Sequence, residues 1–128
     1  MSEANEKKPL KRFNKLKYWS LILLINALMS SYSYAQTTKD VDIYRLYAHT
    51  QIVNYTQFKC FDDLIMRESH YNPKAKNGTH YGIVQGNSKW LRTQSPFTQI
   101  DWGIKYVRNR YNGQWCKALN HSNKYGWY

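Results

Sequence analysis

The chain has 128 residues, and its 19 Lys and Arg side chains against 8 Asp and Glu give a formal net charge of +11. This length excludes a protein of several domains, since domains usually run to about 100–200 residues. With only 6 Gly and 3 Pro the chain is not of the low-complexity or collagen-like class, and an aromatic content of 16% argues against a disordered basic tail. We therefore expect one small basic domain with an anionic partner, for which nucleic acid, a membrane surface and a bacterial cell wall are candidates.

The N-terminal part of the chain has the pattern of an export signal. Six basic side chains lie within residues 1–17, an apolar run follows from Tyr18 to Met29, and the small residues Ser33 and Ala35 come next. A basic segment, a short apolar segment and an A-x-A-like site are typical of a secretory signal peptide. An uncleaved membrane anchor is the alternative, but this apolar run is about 12 residues long and spanning takes about 20.

Cleavage after Ala35 would leave residues 1–35 as a signal peptide and residues 36–128 as the mature domain. The mature domain keeps 13 basic and 6 acidic side chains, a charge of +7, and its only Glu is Glu68. We expect a secreted or periplasmic protein, monomeric and not stably inserted in a membrane after cleavage. Export and the scattered positions of the basic residues argue against a nucleic-acid partner.

The mature part holds two cysteines, Cys60 and Cys116. An oxidising compartment favours a disulfide between them, which would contribute about 2–5 kcal/mol in so small a domain. A metal pair or two free thiols are the alternatives. Two Cys without clustered His make a poor zinc site, and His70, His80 and His121 lack ligand spacing, so we expect no metal and no other cofactor.

The first half of the mature domain is predicted to hold two helices and an irregular segment. Residues 39–53 and 58–69 repeat apolar side chains at helical intervals. Residues 72–96 contain the Gly and Pro signals of a loop or small hairpin.

Two further helices are predicted in the second half. One begins at Thr98, with Thr98 and Asp101 as a capping box, and stops near Asn112-Gly113. A short last helix covers Gln114–His121. The expected fold class is mainly α: a small helical domain with a central loop or short hairpin.

Glu68 lies on the apolar face of the second predicted helix, together with Phe61, Leu64 and Ile65. Burial there disfavours the charged carboxylate and the negative end of the helix dipole acts in the same direction, so its pKa should rise. A carboxylic acid at the edge of a cleft is the group that glycosidic bond cleavage requires. From spacing alone, an ion pair with Arg67 or another nearby cation is the alternative.

Two strings and the end of the chain carry a family resemblance. The strings are Arg67-Glu68-Ser69-His70-Tyr71-Asn72-Pro73-Lys74-Ala75 and Tyr81-Gly82-Ile83-Val84-Gln85. The later segments are Thr98–Val107, Asn109-Arg110-Tyr111 and Gly126-Trp127-Tyr128. Over residues 55–128 the chain resembles the small secreted lytic transglycosylases, whose domain is of the soluble-transglycosylase, lysozyme-like type.

The resemblance implies an α+β lysozyme-like fold, with a central loop or short hairpin lining a glycan cleft and a disulfide that pairs the positions of Cys60 and Cys116. It implies peptidoglycan glycan strands as the substrate. By position it implies that Glu68 is the catalytic acid and base. It also implies five substrate-binding residues. These are Ser69 beside the acid, Gly82 where backbone passes close to substrate, Gln85 lining the cleft, Tyr106 near the carboxylate, and His121 before the Trp127-Tyr128 pair.

One aromatic residue and one short segment bear on the shape of this cleft. Tyr81, beside Gly82 and Gln85, is expected to be exposed in the cleft and to stack on a sugar, with packing in the core as the alternative. The segment Asn77-Gly78-Thr79-His80 departs from the Ser-Gly-Ala that the family usually has before its Tyr-Gly.

The number of carboxylates separates two mechanisms. A retaining lysozyme needs a second carboxylate about 5 Å from the acid, and an inverting one needs it farther away. No candidate is well placed by sequence position among Asp40, Asp42, Asp62, Asp63 and Asp101. We therefore predict non-hydrolytic cleavage of the β-1,4 bond between N-acetylmuramic acid and N-acetylglucosamine, to 1,6-anhydro products. A hydrolytic muramidase and a non-catalytic peptidoglycan- or surface-binding module of the same fold are the alternatives.

Overall fold

The computed structural model describes residues 15–128, with side chains described for residues 19–29 and 39–128. The described chain is mainly helical with a small two-stranded sheet and one disulfide, which confirms the expected class. In chain order the elements are α1 (Lys15–Gln51), α2 (Tyr55–Glu68), β1 (Lys76–Asn77), β2 (His80–Tyr81), a 3-10 helix (Lys89–Thr93), α3 (Pro96–Tyr111) and α4 (Trp115–Tyr125). The first 14 residues of the predicted basic segment, and the side chains of the predicted cleavage site, lie outside the described residues.

The chain divides into two compact units, with the boundary between Thr37 and Thr38. Helix α1 contributes residues to both units, and it begins well before the predicted residue 39 because no Pro or Gly interrupts residues 15–51. In the first unit the large apolar side chains between Trp19 and Met29 are exposed. Among the described residues, no helix combines the length and the hydropathy that crossing a membrane requires.

Helix α2 begins earlier than the apolar spacing predicts. Asn54 is its N-cap, and its side chain accepts a hydrogen bond from the backbone N–H of Gln57 at 3.0 Å. The helix buries Phe61, Leu64 and Ile65 and ends at Glu68. The cap adds a turn before residue 58, but it leaves the buried face where the sequence predicts it.

Helix α3 corrects the predicted capping box. Ser95 is the N-cap, accepting from Thr98 N at 3.2 Å, and Pro96 occupies the first helical turn, where its missing N–H is harmless. Asp101 therefore has no capping role, and its carboxylate accepts a hydrogen bond from the Tyr47 hydroxyl at 2.7 Å. The predicted end is confirmed, since Asn112 caps the helix in the left-handed conformation.

The central segment, residues 72–96, contains a very short hairpin. Strands β1 and β2 pair antiparallel, with Asn77 opposite His80, and Gly78 turns the chain between them at φ +57°. Helix α4 then runs to Tyr125 and ends at Gly126 in the left-handed conformation, about one turn beyond the predicted end at His121.

The core of the second unit collects side chains from α1 to α4 and from the central segment. Its members are Ala48, Ile52, Phe61, Leu64, Ile65, Tyr71, Tyr81, Ile83, Val84, Leu91, Ile100, Val107, Trp115 and Ala118. Helices α2 and α4 pack together through an edge-to-face contact of Phe61 and Trp115, with ring centroids 4.8 Å apart. The disulfide Cys60–Cys116 joins the same two helices beside that contact, which confirms the predicted pairing.

Candidate active site

Glu68 is the last residue of α2, and its side chain is half-buried. The residue after it, Ser69, is the C-cap, whose backbone N–H bonds to Ile65 O at 3.1 Å. The buried Ser69 hydroxyl donates to Ile83 O at 2.6 Å and so ties the end of the helix to the loop after β2. Ser69 therefore has a structural role beside the site, because it fixes the end of α2 to this loop.

The surroundings of Glu68 raise its pKa above the ordinary value. Burial of the carboxyl is the largest cause. The positive charges of Arg67 and His80, and a hydrogen bond from the Ser122 hydroxyl, act in the opposite direction without cancelling it. The alternative of an ion pair with Arg67 is not observed, because the Arg67 guanidinium donates to the Asn123 side chain instead.

Glu68 opens into a cleft of about 320 Å³ between the central segment, α3 and the end of the chain. The other residues that line it are Asn77, His80, Val84, Gln85, Gly86, Asn87, Trp102, Tyr106, Gly126, Trp127 and Tyr128. Of these described lining residues, only Glu68 has a carboxylate side chain. The remaining polar groups are amides, phenols, indoles and one imidazole, which are hydrogen-bonding groups suited to a polar uncharged ligand.

One wall of the cleft is the loop after β2. Tyr81 and Gly86 exchange backbone hydrogen bonds of 3.0 and 3.1 Å, which closes residues 82–85 into a tight turn. Gln85 is in the left-handed region at φ +45°, and its side-chain amide donates to Gly82 O at 2.8 Å. A non-Gly residue in this region carries strain, which is common at functional sites.

Glycine is required twice in this wall. A Cβ on Gly82, which has φ +76°, would lie 2.4 Å from Gln99 Oε1. A Cβ on Gly86 would lie 2.5 Å from a Leu91 methyl and 2.6 Å from the Trp102 ring. Both contacts are far inside van der Waals distance, so these glycines allow the loop to pack against the protein itself.

The opposite wall is aromatic. Trp102 and Tyr106, one turn apart on α3, stack with centroids 5.4 Å apart. The Tyr106 hydroxyl donates to Tyr128 O at 2.8 Å, and the Tyr128 hydroxyl donates to Val84 O across the cleft. Burial and the negative charge of Glu68 raise the pKa of the Tyr128 phenol, so it stays protonated and keeps this bond.

The last residues complete the rim. Trp127 lines the cleft with 49% of its surface exposed. His121 holds it in place, since the His121 ring lies 4.3 Å from the Trp127 ring and its Nδ1 is 2.7 Å from Trp127 O.

The structure brings together only part of the predicted set in the cleft. Glu68, Gln85 and Tyr106 line it. Ser69 and Gly82 lie behind the wall, and His121 acts through Trp127. The expected exposure of Tyr81 is not observed: its side chain is only 6% exposed and packs in the core, with Arg92 over its ring.

Several lining residues were not predicted as site residues. Trp102 and Tyr128 stand within the resembling segments, but nothing in their spacing distinguishes a cleft aromatic from a core aromatic. Asn77 and His80 come from the hairpin, where the turn signal at Asn77-Gly78 predicts a reversal that would bring both to one end.

None of the five aspartates considered as a second carboxylate lines the cleft, and two of them, Asp62 and Asp101, are engaged elsewhere. Asp62 forms an ion pair with Arg45 at 2.7 Å and also accepts from the Tyr71 hydroxyl at 2.7 Å. Asp101 accepts from Tyr47. Within residues 15–128 as described, no group of three His, Cys, Asp or Glu could hold a metal ion.

Comparison of the chain with protein-family models, with curated proteins and with solved structures finds no match in any of the three.

Proposed function

We propose that the protein cleaves the β-1,4 glycosidic bond between N-acetylmuramic acid and N-acetylglucosamine in peptidoglycan, and does so without water. The observation that carries this proposal is Glu68, a half-buried carboxyl with a raised pKa that is the only acidic side chain among the described residues of an aromatic-lined cleft. A lysozyme-like fold, lytic transglycosylase activity and peptidoglycan as the partner belong to the same proposal, together with the sequence resemblance over residues 55–128.

The raised pKa supports Glu68 as a proton donor, because burial favours its protonated form. Its carboxyl donates a proton to the glycosidic oxygen as the bond from that oxygen to C1 of the muramic acid breaks. The carboxylate then accepts the proton of the C6 hydroxyl of the same sugar while O6 bonds to C1. The proton returns to Glu68 and a 1,6-anhydro sugar forms, so no water is consumed.

The remainder of the cleft suits sugars. The stacked Trp102 and Tyr106 offer apolar ring faces, and the Gln85, Asn77 and Asn87 amides offer donors and acceptors for hydroxyl and N-acetyl groups. The engagement of Asp62 with Arg45, and of Asp101 with Tyr47, supports the one-carboxylate route over a two-carboxylate hydrolase.

We also propose that residues 1–35 are an export signal and that the protein acts in the periplasm or outside the cell. The basic and apolar pattern of these residues supports it, and the disulfide is compatible with an oxidising compartment.

The experiment is zymography on peptidoglycan with the wild type, with Glu68→Gln and with Asp63→Asn as the control. Asp63 is an exposed carboxylate on the same helix that does not line the cleft. We expect Glu68→Gln to lose about 10²- to 10⁴-fold in cleavage rate, because it cannot donate the proton, and Asp63→Asn to retain activity.

Mass spectrometry of the digest then identifies the reaction. Anhydro ends, one water lighter than hydrolysis products, are expected. Reducing-end muramic acid would instead make the protein a hydrolytic muramidase, wall binding without any cleavage would make it a binding module, and full activity of Glu68→Gln would remove Glu68 from the mechanism.

A further inference from the structure

Arg110 lies at the rim of the cleft among aromatic rings. Its guanidinium carbon is 4.5 Å from the ring centroid of Trp127 and 5.8 Å from that of Tyr111. Its Nε donates to the Tyr111 hydroxyl at 3.3 Å, and Tyr106 is a further neighbour. Because Tyr106 and Trp127 both line the cleft, Arg110 stands at the edge that they form.

The charge of Arg110 is not neutralised within the described part of the chain. There the ion pair found is that of Arg45 with Asp62, and no carboxylate pairs with Arg110. Arg110 is an exposed residue. Stacking on an indole leaves the edge of a guanidinium free to donate in its own plane, which is the geometry that binds a carboxylate through two hydrogen bonds.

Trp127 offers the second half of such a site. Its ring is half-exposed, lines the cleft, and is held by His121 at its backbone oxygen and at its ring. An indole that is fixed and half-exposed loses little conformational freedom when a ligand packs on it.

We propose that Arg110 and Trp127 form a rim subsite for a sugar that carries a carboxylate, with the sugar against Trp127 and the carboxylate on Arg110. The inference rests on the proposed function and names the part of the glycan that is read there. N-acetylmuramic acid carries a lactyl-linked stem with carboxylates, whereas N-acetylglucosamine carries none.

A competing explanation is that Arg110 only offsets the dipole at the C-terminal end of α3. Arg108 lies in the same last turn and is also exposed. Neither arginine lines the cleft itself, but of the two only Arg110 lies over the ring of Trp127, which does. Arg108→Gln therefore removes the same charge from the same helix end and is the matched control for Arg110→Gln.

The experiment measures binding by calorimetry at low salt, with the full mature chain carrying Glu68→Gln so that no ligand is consumed. Two probes are used: a soluble peptidoglycan tetrasaccharide with its stem peptides, and the neutral tetramer of N-acetylglucosamine. The variants Arg110→Gln, Arg108→Gln and Trp127→Ala are added one at a time to that background.

We expect Arg110→Gln to weaken binding of the peptidoglycan probe by about tenfold, the loss of one charge-assisted contact, and to leave binding of the neutral tetramer within about twofold. The weakening of peptidoglycan binding by Arg110→Gln should become smaller at high salt, because interactions between exposed charges are screened. Trp127→Ala should weaken both probes, and Arg108→Gln neither.

Equal weakening of both probes by Arg110→Gln, or equal effects of Arg110→Gln and Arg108→Gln, would overturn the subsite. A chain that binds the two probes as expected but never cleaves peptidoglycan would overturn the proposed function and leave the subsite standing. If the wild type cleaves peptidoglycan but Arg110→Gln weakens both probes equally, the proposed function would stand and the subsite would be overturned.

Discussion

Four opposing effects, from three elements of the chain, act on the pKa of Glu68. Burial at the end of α2 raises the pKa, whereas Arg67 from the same helix, His80 from the hairpin and Ser122 from α4 lower it. The carboxyl therefore keeps a partner for its charged form while still favouring the protonated form relative to water. In the proposed mechanism, this balance suits a group that acts as an acid in one step and as a base in the next.

The raised pKa of Glu68 makes stability depend on pH. The folded state holds this proton more tightly than the unfolded state, so the resulting stabilisation is fully present below the ordinary pKa of Glu and is lost as pH rises through the raised value. Glu68→Gln has no ionisable group at this position, so its stability does not fall with pH for this reason. We expect its thermal midpoint to exceed that of the wild type by a few degrees at pH 7, and the two midpoints to converge near about pH 4.

The control for this measurement is Asp63→Asn, which removes an exposed carboxylate of the same helix and should change the midpoint little at either pH. Parallel midpoints of Glu68→Gln and the wild type across the pH range would show that Glu68 is not desolvated in the folded protein.

A single side chain of α3, Gln99, connects three segments around the cleft wall. Gln99 is 1% exposed, and its Oε1 accepts from Ile83 N at 2.7 Å. Its Nε2 lies 3.1 to 3.2 Å from the backbone oxygens of Pro73, Leu91 and Gln94. The cleft wall therefore depends on one buried amide that makes no contact with the cleft.

Gln99→Leu keeps the approximate volume and removes these hydrogen bonds. We expect it to lower the free energy of unfolding by about 2–4 kcal/mol, because the N–H of Ile83 and several carbonyls would be left buried without partners. Urea denaturation measures the loss. The control is Gln51→Leu, on the exposed end of α1, whose free energy of unfolding should stay within about 0.5 kcal/mol of the wild type. A Gln99→Leu protein as stable as the wild type would contradict the stabilising role of Gln99.

The disulfide and the α2–α4 contact act on the second unit as a whole. The bond between Cys60 and Cys116 spans a sequence separation of 56 residues, within which lie the end of α2, the hairpin and all of α3. A crosslink over so long a loop reduces the freedom of the unfolded chain, and a domain of this size has few other means to gain stability.

The double variant Cys60→Ala with Cys116→Ala is expected to lose about 2–4 kcal/mol in the free energy of unfolding. Urea denaturation with and without a thiol reductant checks this prediction. The reductant should lower the free energy of unfolding of the wild type to that of the variant, and should leave the variant's value unchanged. Indifference of the wild type to complete reduction, verified by thiol titration, would contradict a stabilising role. Because neither cysteine lines the cleft, folded variant protein should retain at low temperature the peptidoglycan cleavage that we propose for the wild type.

The helices could be predicted because each one carries its own apolar periodicity, and that periodicity depends on neighbours three and four residues away. Their starts were predicted less well. Asn54 and Ser95 cap α2 and α3. Thr98 with Asp101 offers a competing local capping pattern, although Ser95 followed by Pro96 is also a helix-start signal in the sequence. The structure assigns the cap to Ser95 and engages Asp101 with Tyr47 instead.

The export signal remains a proposal. The other properties predicted from the sequence alone are a basic charge, a mainly helical structure, a disulfide between the two cysteines, and a single Glu after the predicted signal. These are properties of composition and of local periodicity. The tertiary structure decided that Tyr81 is in the core, that Trp102 and Tyr128 are in the cleft, and that Asp62 and Asp101 are engaged elsewhere. It also decided that Arg110 lies at the rim, where no carboxylate of the described residues pairs with it. The reason is physical: desolvation, stacking and charge pairing depend on groups far apart in the chain, and only folding brings them together.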